Sequence, residues 1–360
     1  MILHPSPSEL AETLEPVLEK STRGRGRRAH ERRERVGARP AVKPEAPDDE
    51  EGSSDRHVPV LYEEVLAGLA PHAGGLYVDG TAGRGGHAEG VLTRSAPDGR
   101  LLALDADPVA VEAVRERLAP FGDRATVLHA NFRDLTTATR AHGWTAVDGI
   151  LLDLGLSSPQ LALPERGFSF HTDGPLDMRF DTTGPVMAAD LVASLSEDEL
   201  SALFYMYGEE PRSRRIAHAI VVAREHGALT TTVQLAALVE KAIGRRGATH
   251  PATRIFQALR IKVNAELDVL EATLPQAAAL LRPGGRLAVI AFHSLEDRLV
   301  KRFLQGEMAT CVCPISQPVC TCAQHPTLRA VSRGATMAGD DEVSRNRRSR
   351  SARLRVAERL

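Results

Sequence analysis

Residues 75–88 read Gly75-Leu-Tyr-Val-Asp79-Gly-Thr-Ala-Gly83-Arg-Gly85-Gly86-His87-Ala88. The apolar run that ends in Asp79 is typical of a buried strand, and the residues after the glycines are typical of a helix. Glycines remove side chains where a backbone must approach a ligand closely, and the N-terminus of the following helix offers free N–H groups. The stretch therefore predicts a strand, a turn and a helix that bind a nucleotide-like cofactor.

A second strand with an acidic end follows about 20 residues later, at the distance where a carboxylate can accept both hydroxyls of a ribose. It reads Arg100-Leu-Leu-Ala-Leu-Asp105-Ala-Asp107. The first turn, Gly83-Arg-Gly85-Gly86-His-Ala88, also fits the G-x-G-x-x-[G/A] motif of dinucleotide folds. The two segments predict an adenosine-containing cofactor and leave a nicotinamide dinucleotide open. A tight turn without a ligand is the remaining alternative.

Strand-like runs recur along the chain, with helical segments between the first four of them. Pro108–Leu118, for example, places Val111, Val114 and Leu118 on one helix face. This alternation predicts an α/β fold with a parallel, doubly wound sheet. The predicted strands are Leu76–Asp79, Leu101–Asp105, Ala125–His129, Gly149–Asp153 and Arg286–Phe292.

The spacing of strands breaks after Asp153, and a long helical stretch precedes the last predicted strand. Ser196-Glu-Asp-Glu199 is a capping box, helices are predicted over Arg214–Glu225 and Val233–Ile243, and Pro251 can begin another. An insertion at the carboxyl end of a strand lies where open α/β sheets bind ligands, so it most simply recognises the substrate. The predicted domains are a charged tail (1–56), an α/β domain (57–160 and 265–360) and an inserted helical substrate-recognition domain (161–264).

Charge is unevenly distributed in a chain whose formal net charge is -2. Residues 23–43 carry nine Lys or Arg and two Glu, 45–55 carry six acids, and 345–359 carry seven Arg and one Glu. Basic segments favour a polyanionic partner, and solvated tails are the alternative. Residues 1–56 are predicted to be disordered, with a short helix near Leu10–Lys20.

The four cysteines form two C-x-C pairs, Cys311-Val-Cys313 and Cys320-Thr-Cys322. They do not suggest the disulfide scaffold of a secreted protein, and neither a signal peptide nor a run of about 18 apolar residues is found. The sequence therefore predicts a cytoplasmic protein without a membrane span. A Cys₄ zinc site is open, although the spacing is tighter than the usual C-x₂-C. Free or redox-labile thiols are the alternative, and no metal is assigned to the catalytic site.

The fourth predicted strand ends in Leu151-Leu-Asp153-Leu-Gly-Leu-Ser157-Ser158-Pro159-Gln160. This segment places polar groups at the edge of the sheet where the cofactor is expected. Amino-methyltransferases carry a loosely similar [D/N/S]-P-P-[Y/F] element there, whose acceptors hydrogen-bond an exocyclic amine. Ser158-Pro159-Gln160 lacks the aromatic residue, so in isolation an ordinary proline turn explains it equally well.

Together these segments resemble the bacterial 16S rRNA cytosine N(4)-methyltransferase family, the RsmH (MraW) type, from about His57 to Leu360. One departure is Ala82, where the family often has Phe or Leu. The resemblance implies a Rossmann-like class I S-adenosylmethionine methyltransferase fold with an inserted helical domain. It implies methylation of the exocyclic N(4) amine of a cytidine in 16S rRNA of the small ribosomal subunit, in the decoding region. The matching segments are His57-Val-Pro-Val-Leu, Asp79–His87, Asp153–Gln160, Glu165-Arg-Gly-Phe-Ser-Phe170, Gly174-Pro-Leu-Asp-Met-Arg179, Tyr207-Gly-Glu-Glu210, His250-Pro-Ala-Thr-Arg254, Phe256-Gln-Ala-Leu-Arg-Ile261 and Phe292-His-Ser-Leu-Glu-Asp-Arg298.

The resemblance also implies which residues bind S-adenosylmethionine, the expected cofactor. They come from the first turn and from the ends of the next three strands. The implied contacts are Gly85, Gly86 and His87 to the methionine end, Asp105 to the ribose, Phe132 against adenine, and Asp153 and Gln160 at the boundary between cofactor and acceptor.

Charge favours S-adenosylmethionine over a nicotinamide cofactor independently of the resemblance. The sulfonium is a cation, so acids such as Asp79 and Asp153 suit it, whereas a pyrophosphate would favour bases. The cytosine amine is a weak nucleophile because its lone pair is delocalised, and it needs in-line placement about 3–3.5 Å from the methyl carbon. Asp153 is the predicted catalytic residue, as an acceptor for an amine hydrogen. The sequence leaves open which group, if any, acts as general base.

Polar residues near the last predicted strand are candidates for RNA contacts. His293 and Ser294 follow that strand and are placed to face the acceptor base, with a polar strand cap as the alternative. Arg353-Leu-Arg-Val-Ala-Glu-Arg359 alternates like an edge strand whose charges protect the edge. Candidate phosphate ligands are Arg254, Arg260, Arg298 and the C-terminal arginines.

Other functions stay open from the residues alone. A nicotinamide oxidoreductase would bind NAD, but it does not account for the Ser-Ser-Pro-Gln strand end. A non-catalytic RNA-binding assembly factor would keep the fold without turnover. An amine on DNA or protein would fit the bare motifs nearly as well as one on rRNA. The oligomeric state is also open, with a homodimer among the alternatives.

Overall fold

The structure is a computed structural model that describes residues 59–245, 249–311, 313, 317 and 319–360. The chain divides into two units, Met1–His57 and Val58–Leu360, and every described residue lies in the second. The predicted disordered tail, residues 1–56, and its short helix near Leu10–Lys20 lie outside the described residues.

The described part of the chain forms one sheet of seven strands: β1 (Leu76–Asp79), β2 (Arg100–Asp105), β3 (Ala125–His129), β4 (Val147–Asp153), β5 (Leu281–Ala291), β6 (Leu328–Ala330) and β7 (Arg353–Arg359). Their order across the sheet is β3-β2-β1-β4-β5-β7-β6. The first five strands are parallel, and β7 runs antiparallel to both of its neighbours. The order reverses between β1 and β4, and ligands bind open parallel sheets at such a switch point.

The five predicted strands are present, and the doubly wound α/β fold class is confirmed. The fifth strand begins at Leu281 and not at Arg286 as predicted. The edge position predicted for Arg353–Arg359 is wrong, because β7 pairs with β5 on one side and with β6 on the other. One of its arginines, Arg355, is mostly buried and lies 2.7 Å from a carboxylate oxygen of Asp297.

Helices cover both faces of the sheet, so successive strand residues pack into different clusters. Ile150 and Leu152 of β4 pack with Leu274, whereas Leu151 packs with Leu66 on the other face. The helices on the first face are α4 (Leu135–Ala141), α11 (Glu266–Leu280) and α12 (Ser294–Glu307); those on the second are α1 (Tyr62–Leu69), α2 (Gly86–Arg94) and α3 (Pro108–Leu118). Burial on both faces explains why Ile150, Leu151 and Leu152 of β4 are all apolar, without alternation.

A helical segment between β4 and β5 has a separate cluster of buried side chains, which includes Phe204, Ile220 and Leu259. The predicted capping box is present: Ser196 Oγ accepts the N–H of Glu199, whose carboxylate accepts the N–H of Ser196. The helices are α5 (Ser158–Ala162), α6 (Ala188–Ser194), α7 (Glu197–Met206), α8 (Ser213–His226), α9 (Thr232–Ile243) and α10 (Ala252–Val263), and α13 (Asp340–Arg345) lies near the C-terminus. Treating 161–264 as a separate substrate-recognition domain stays a proposal.

No helix formed by the residues that the structure describes is long and apolar enough to cross a bilayer.

The separate helical cluster gives a stability prediction. Phe204 is fully buried, and its neighbour Tyr205 is 66% exposed on the same helix, α7. We expect Phe204→Ala to lower the free energy of unfolding by about 3–5 kcal/mol, because it leaves a cavity among packed side chains. Tyr205→Ala, the matched control, should change it by less than about 0.5 kcal/mol. Urea unfolding of both variants measures the difference, and equal losses would contradict the packing described above.

Candidate functional site

The turn after β1 lies directly against the end of β4. The N–H of Gly80 donates to the carbonyl of Leu151 at 2.9 Å, and the N–H of Asp153 donates to Oγ1 of Thr81 at 2.6 Å. A Cβ at Gly80 would lie 2.7 Å from Cδ2 of Leu152, so this approach requires glycine. The two strand ends at the switch point of the sheet therefore meet at this turn.

The rest of the turn leads into the N-terminus of α2. Gly83 and Gly85 have φ angles of 56° and 74°, in the left-handed region that favours glycine. Gly85 is the N-cap of α2, and within the described structure no side chain caps this helix end. At Gly86 a Cβ would lie 2.4 Å from Cγ of Pro59. The predicted Gly85 and Gly86 thus form a helix start whose N–H groups suit a polar ligand.

Asp105, at the end of β2, is held by the same turn. Its Oδ2 accepts the N–H of Gly83 at 2.8 Å, and its Oδ1 accepts the N–H of Asp107 at 2.8 Å. Burial raises the pKa of Asp105, although these two N–H groups act in the opposite direction. Each carboxylate oxygen has a second lone pair, so Asp105 can still accept the two hydroxyls of a ribose.

Two carboxyl groups lie at the ends of β1 and β4, of which Asp79 is buried and Asp153 is 26% exposed. Asp79 is 2% exposed, and burial raises its pKa to about 7 even though its Oδ1 accepts the N–H of Thr81. Burial also raises the pKa of Asp153 well above its usual value, and the negative charges of Asp79 and Glu296 raise it further. Oδ1 of Asp153 is buried and has no hydrogen-bond partner among the described residues. A cation beside these carboxyl groups would favour their ionised forms.

His87 does not supply that cation. It is 5% exposed, and burial lowers its pKa to about 4, so the imidazole is neutral at neutral pH. Its Nε2 lies 3.7 Å from Oδ2 of Asp153, beyond hydrogen-bond distance, and neither ring nitrogen bonds to any other described residue. The ring stacks on Tyr62 with centroids 6.0 Å apart. Unpaired buried polar atoms of His87 and Asp153 are thus neighbours, as expected where a polar ligand binds.

Gln160 and Arg166 converge on a buried acid, Asp107. Oδ2 of Asp107 accepts a hydrogen bond from Nε2 of Gln160 at 2.9 Å and one from Nη1 of Arg166 at 2.7 Å. Oε1 of Gln160 accepts the N–H of Ser157, so both ends of the Gln160 amide are occupied. Gln160 therefore fixes the segment after β4. The sequence indicated no role for Arg166, although it lies in the Glu165–Phe170 segment that carries the family resemblance.

Phe132 lies beside the turn and begins the short helical segment after β3. Its Cβ would be 3.1 Å from a Cβ placed on Gly80. The side chain packs partly against the apolar cluster that contains Leu152, and part of it stays accessible. This position is compatible with the predicted stacking against adenine, which stays a prediction.

A second network of charges lies behind Asp153. Glu296 accepts the N–H groups of Phe292 and His293 through Oε2, and its Oε1 lies 3.2 Å from Nε2 of His293. Burial would raise the pKa of Glu296, but His293 and Arg260 outweigh it and lower the pKa. His293 is thus the N-cap of α12, which was the alternative interpretation of this residue.

Arg260 was predicted as a phosphate ligand, and that prediction is wrong. Its guanidinium is buried and pairs with both carboxylate oxygens of Glu266, at 2.7 and 2.9 Å. Ligand atoms of Glu266, His293 and Glu296 are close enough for a metal ion, but Arg260 already occupies the Glu266 carboxylate. This network is therefore an ion-pair cluster that sets the charge around Asp153.

The other predicted phosphate ligands remain at the surface. Arg254 and Arg298 are 53% and 47% exposed, and Arg298 pairs with Glu209 at 2.9 Å. Glu209 also accepts a hydrogen bond from Oγ of Ser294, which accounts for that hydroxyl. From the C-terminal arginines, Arg348 donates to Oγ of Ser158 at 2.5 Å. Arg348 thus contacts the segment that follows Asp153, and Arg254 and Arg298 lie around Glu209 and Glu210.

Comparison with known proteins gives a consistent picture. A family model described as the MraW methylase family matches residues 54–360. A relative from Thermomicrobium roseum is 54% identical over 312 residues, which cover 86% of this chain and 96% of the relative. Relatives from Dehalococcoides mccartyi (50% identical, covering 84% of this chain and 86% of the relative) and Geobacter sulfurreducens (51%, covering 84% and 99%) are similar. All three relatives are named ribosomal RNA small subunit methyltransferase H.

The raised pKa of Asp79 predicts how stability changes with pH. Because the folded state holds this proton up to about pH 7 and the unfolded state loses it near 4, stability falls as pH rises between the two values. Asp79→Asn keeps the acceptor for Thr81. We therefore expect its free energy of unfolding to increase relative to that of wild type by about 2–3 kcal/mol as pH rises from about 5 to about 8.

Urea unfolding across this pH range measures the gain. Asp123→Asn is the matched control, because Asp123 is exposed before β3. Its free energy of unfolding should change with pH as that of wild type does. The same result for Asp79→Asn would show that Asp79 is ionised at low pH in the folded chain.

Proposed function

Because the chain belongs to the MraW methylase family, we propose that it methylates the exocyclic N(4) amine of a cytidine in 16S rRNA of the small ribosomal subunit, with S-adenosylmethionine as methyl donor. The observation that carries the chemistry is the buried Asp79 and the partly exposed Asp153 next to a neutral His87. The ribosomal substrate comes from the names of the relatives. Such a substrate would place the chain in the cytoplasm, and a homodimer stays a prediction from the sequence.

The residues around the turn fit S-adenosylmethionine, which supplies a methyl group on a positively charged sulfur when bound. The N-terminus of α2, at Gly85, Gly86 and His87, would hold its methionine end. Asp105 has free lone pairs for the ribose hydroxyls, and Phe132 would lie against adenine. A pyrophosphate would add negative charge beside Asp79 and Asp153, which argues against a nicotinamide cofactor.

Asp153 is the residue proposed to contact the amine. Its side chain is 26% exposed, and its carboxylate makes no hydrogen bond to His87, whose Nε2 lies 3.7 Å away, so it can accept an N–H from the cytosine amine. That hydrogen bond would orient the amine and draw electron density onto its nitrogen. The N–H of Asp153 is itself fixed by Oγ1 of Thr81 at 2.6 Å, so the strand end is held in place. Positioning of this kind accounts for much of the rate of a bimolecular reaction.

The surroundings of the strand end suit a polyanionic substrate. Arg254 and Arg298 are partly exposed, and Arg348 contacts Ser158 five residues after Asp153. Arginines bind RNA mainly through phosphates, which fixes the position of the chain on the RNA and adds little sequence preference. The base itself would be selected at Asp153 and the neighbouring Ser157–Gln160 segment. Gln160 supports that segment through Ser157 and Asp107.

Ligand charge separates the cofactor proposal from its alternatives. S-adenosylmethionine is a cation at sulfur, whereas its product S-adenosylhomocysteine is not, and otherwise the two are alike. At about pH 8 we expect Asp79→Asn to weaken S-adenosylmethionine about tenfold and S-adenosylhomocysteine by less than about twofold. Calorimetry with each ligand measures both affinities. Equal weakening would mean that Asp79 acts through structure, and tight NAD binding would restore the nicotinamide alternative.

The substrate is tested by methyl transfer to ribosomes. Purified chain, tritiated S-adenosylmethionine and small subunits from a strain that lacks the enzyme are incubated, and the rRNA nucleosides are separated. We expect label in N(4)-methylcytidine, and a loss of rate of about 100-fold or more in Asp153→Asn under single-turnover conditions. Asp123→Asn, at the opposite end of the sheet, is the control and should keep the wild-type rate.

The outcomes distinguish the competing functions. Label in another nucleoside, or in protein, would overturn the cytidine substrate and keep the methyltransferase. Tight cofactor binding with no label in any acceptor would favour a non-catalytic assembly factor. An Asp153→Asn rate within about twofold of wild type would remove Asp153 from the chemistry.

A further inference from the structure

The four cysteines converge on one place. Sγ of Cys320 lies 3.5 Å from Sγ of Cys311 and 3.5 Å from Sγ of Cys322. Sγ of Cys322 lies 3.8 Å from that of Cys311, and Sγ of Cys313 lies 4.0 Å from that of Cys320. All four sulfur atoms lie within 4.8 Å of one another, and none of the four cysteines forms a disulfide. The tight C-x-C spacing therefore brings four thiols to a common centre.

A single tetrahedral metal ion accounts for these separations. Zinc binds cysteine sulfur at about 2.3 Å, which places two sulfurs of a tetrahedral Cys₄ site about 3.8 Å apart. The four distances given above lie around that value. A disulfide needs about 2.05 Å between its two sulfurs and would not gather all four. A four-iron cluster holds its cysteines on separate irons, so their sulfurs cannot share one centre.

We propose that Cys311, Cys313, Cys320 and Cys322 bind one Zn²⁺ ion in a structural site. Four thiolate ligands complete the tetrahedron and leave no open position for water or substrate, as in structural zinc sites. Zinc binds thiolates, so the thiols release their protons to solvent when the ion binds.

Backbone hydrogen bonds hold together the segments that precede and follow the cysteines. The N–H of Thr327 donates to the carbonyl of Glu307 at 2.8 Å, and the N–H of Leu360 donates to the carbonyl of Thr327 at 3.0 Å. These bonds connect the end of α12 with the start of β6 and the end of β7. Beside the cysteines, however, Val319 is 68% exposed and adds little burial. A metal ion would supply the stability that an apolar core supplies elsewhere.

The cysteines follow the end of α12 that is remote from the proposed methyl-transfer site. α12 begins at Ser294, beside that site, and its 14 residues span about 20 Å before the cysteines begin. Zinc at this position therefore has a structural role. It fixes the segment that leads into β6, the strand that covers the outer side of β7.

Metal content tests the proposal on the full chain, purified under reducing conditions without chelator. We expect mass spectrometry of metals to find about one zinc per chain and no iron. Cys320→Ser should fall below about one tenth of that zinc content. Thr321→Ser, between two proposed ligands, keeps the hydroxyl that bonds Gln317 and should retain the zinc.

Cobalt titration of the chelator-treated chain gives an independent measurement. Co²⁺ alone should produce the absorption of tetrahedral thiolate coordination and saturate at about one equivalent. If Cys320→Ser does not fold, Cys320→His keeps a ligand and should bind Co²⁺ more weakly than wild type. A zinc-free chain with four titratable thiols would overturn the proposal. So would disulfides detected by mass, iron in place of zinc, or full zinc content in Cys320→Ser.

Discussion

The structure depends on the contact between the turn after β1 and the end of β4. The strand order reverses between β1 and β4, so the carboxyl ends of these two parallel neighbours lie side by side at the switch point. Gly80 hydrogen-bonds Leu151 at a point where a Cβ would lie 2.7 Å from the Leu152 side chain, and Gly83 and Gly85 take backbone angles that other residues rarely adopt. The glycines of this turn allow the two strand ends to meet, and they also leave the N–H groups at the start of α2 open to a ligand. The same short segment is therefore needed for folding and for ligand binding.

The two acids at this contact destabilise the chain when no ligand is bound. Asp79 and the partly exposed Asp153 have raised pKa values and interact through their charges, and His87 is too buried to carry a compensating charge. Amides or apolar residues at these positions would make the ligand-free chain more stable. A positively charged ligand offsets the destabilisation, because it favours the ionised carboxylates. Ligand binding and folding are then linked, and the bound chain is the more stable one.

The sequence predicted what local chemistry determines. Leu76–Asp79 has the predicted bounds because an apolar run, an acid and glycines occur together, and the Ser196 cap depends only on a residue three positions away. It did not predict partners that are distant in sequence. Gln160 and Arg166 meet Asp107 from 53 and 59 positions away, which no periodicity encodes. Hence the position of the site could be predicted, and much of its hydrogen bonding could not.

Charged residues were the least predictable for the same reason. Arg260 has the composition of a surface base, yet Glu266 pairs with it inside the protein. The arginines of β7 alternate as on an exposed edge, yet Arg355 is mostly buried beside Asp297 of α12. A charged side chain is buried only where the fold supplies an opposite charge within a few ångströms, and the sequence does not show that distance.

The helical segment is joined to the sheet domain by polar contacts that surround the site. Its buried apolar side chains form a cluster distinct from the two that cover the sheet. Arg166 reaches Asp107 across this division, and Ser294 and Arg298 reach Glu209. Hydrogen bonds and ion pairs are directional, so they fix position more narrowly than apolar contact does. The groups that hold the helical segment are thus neighbours of those proposed to act on the substrate, so a change in either would alter the geometry of both.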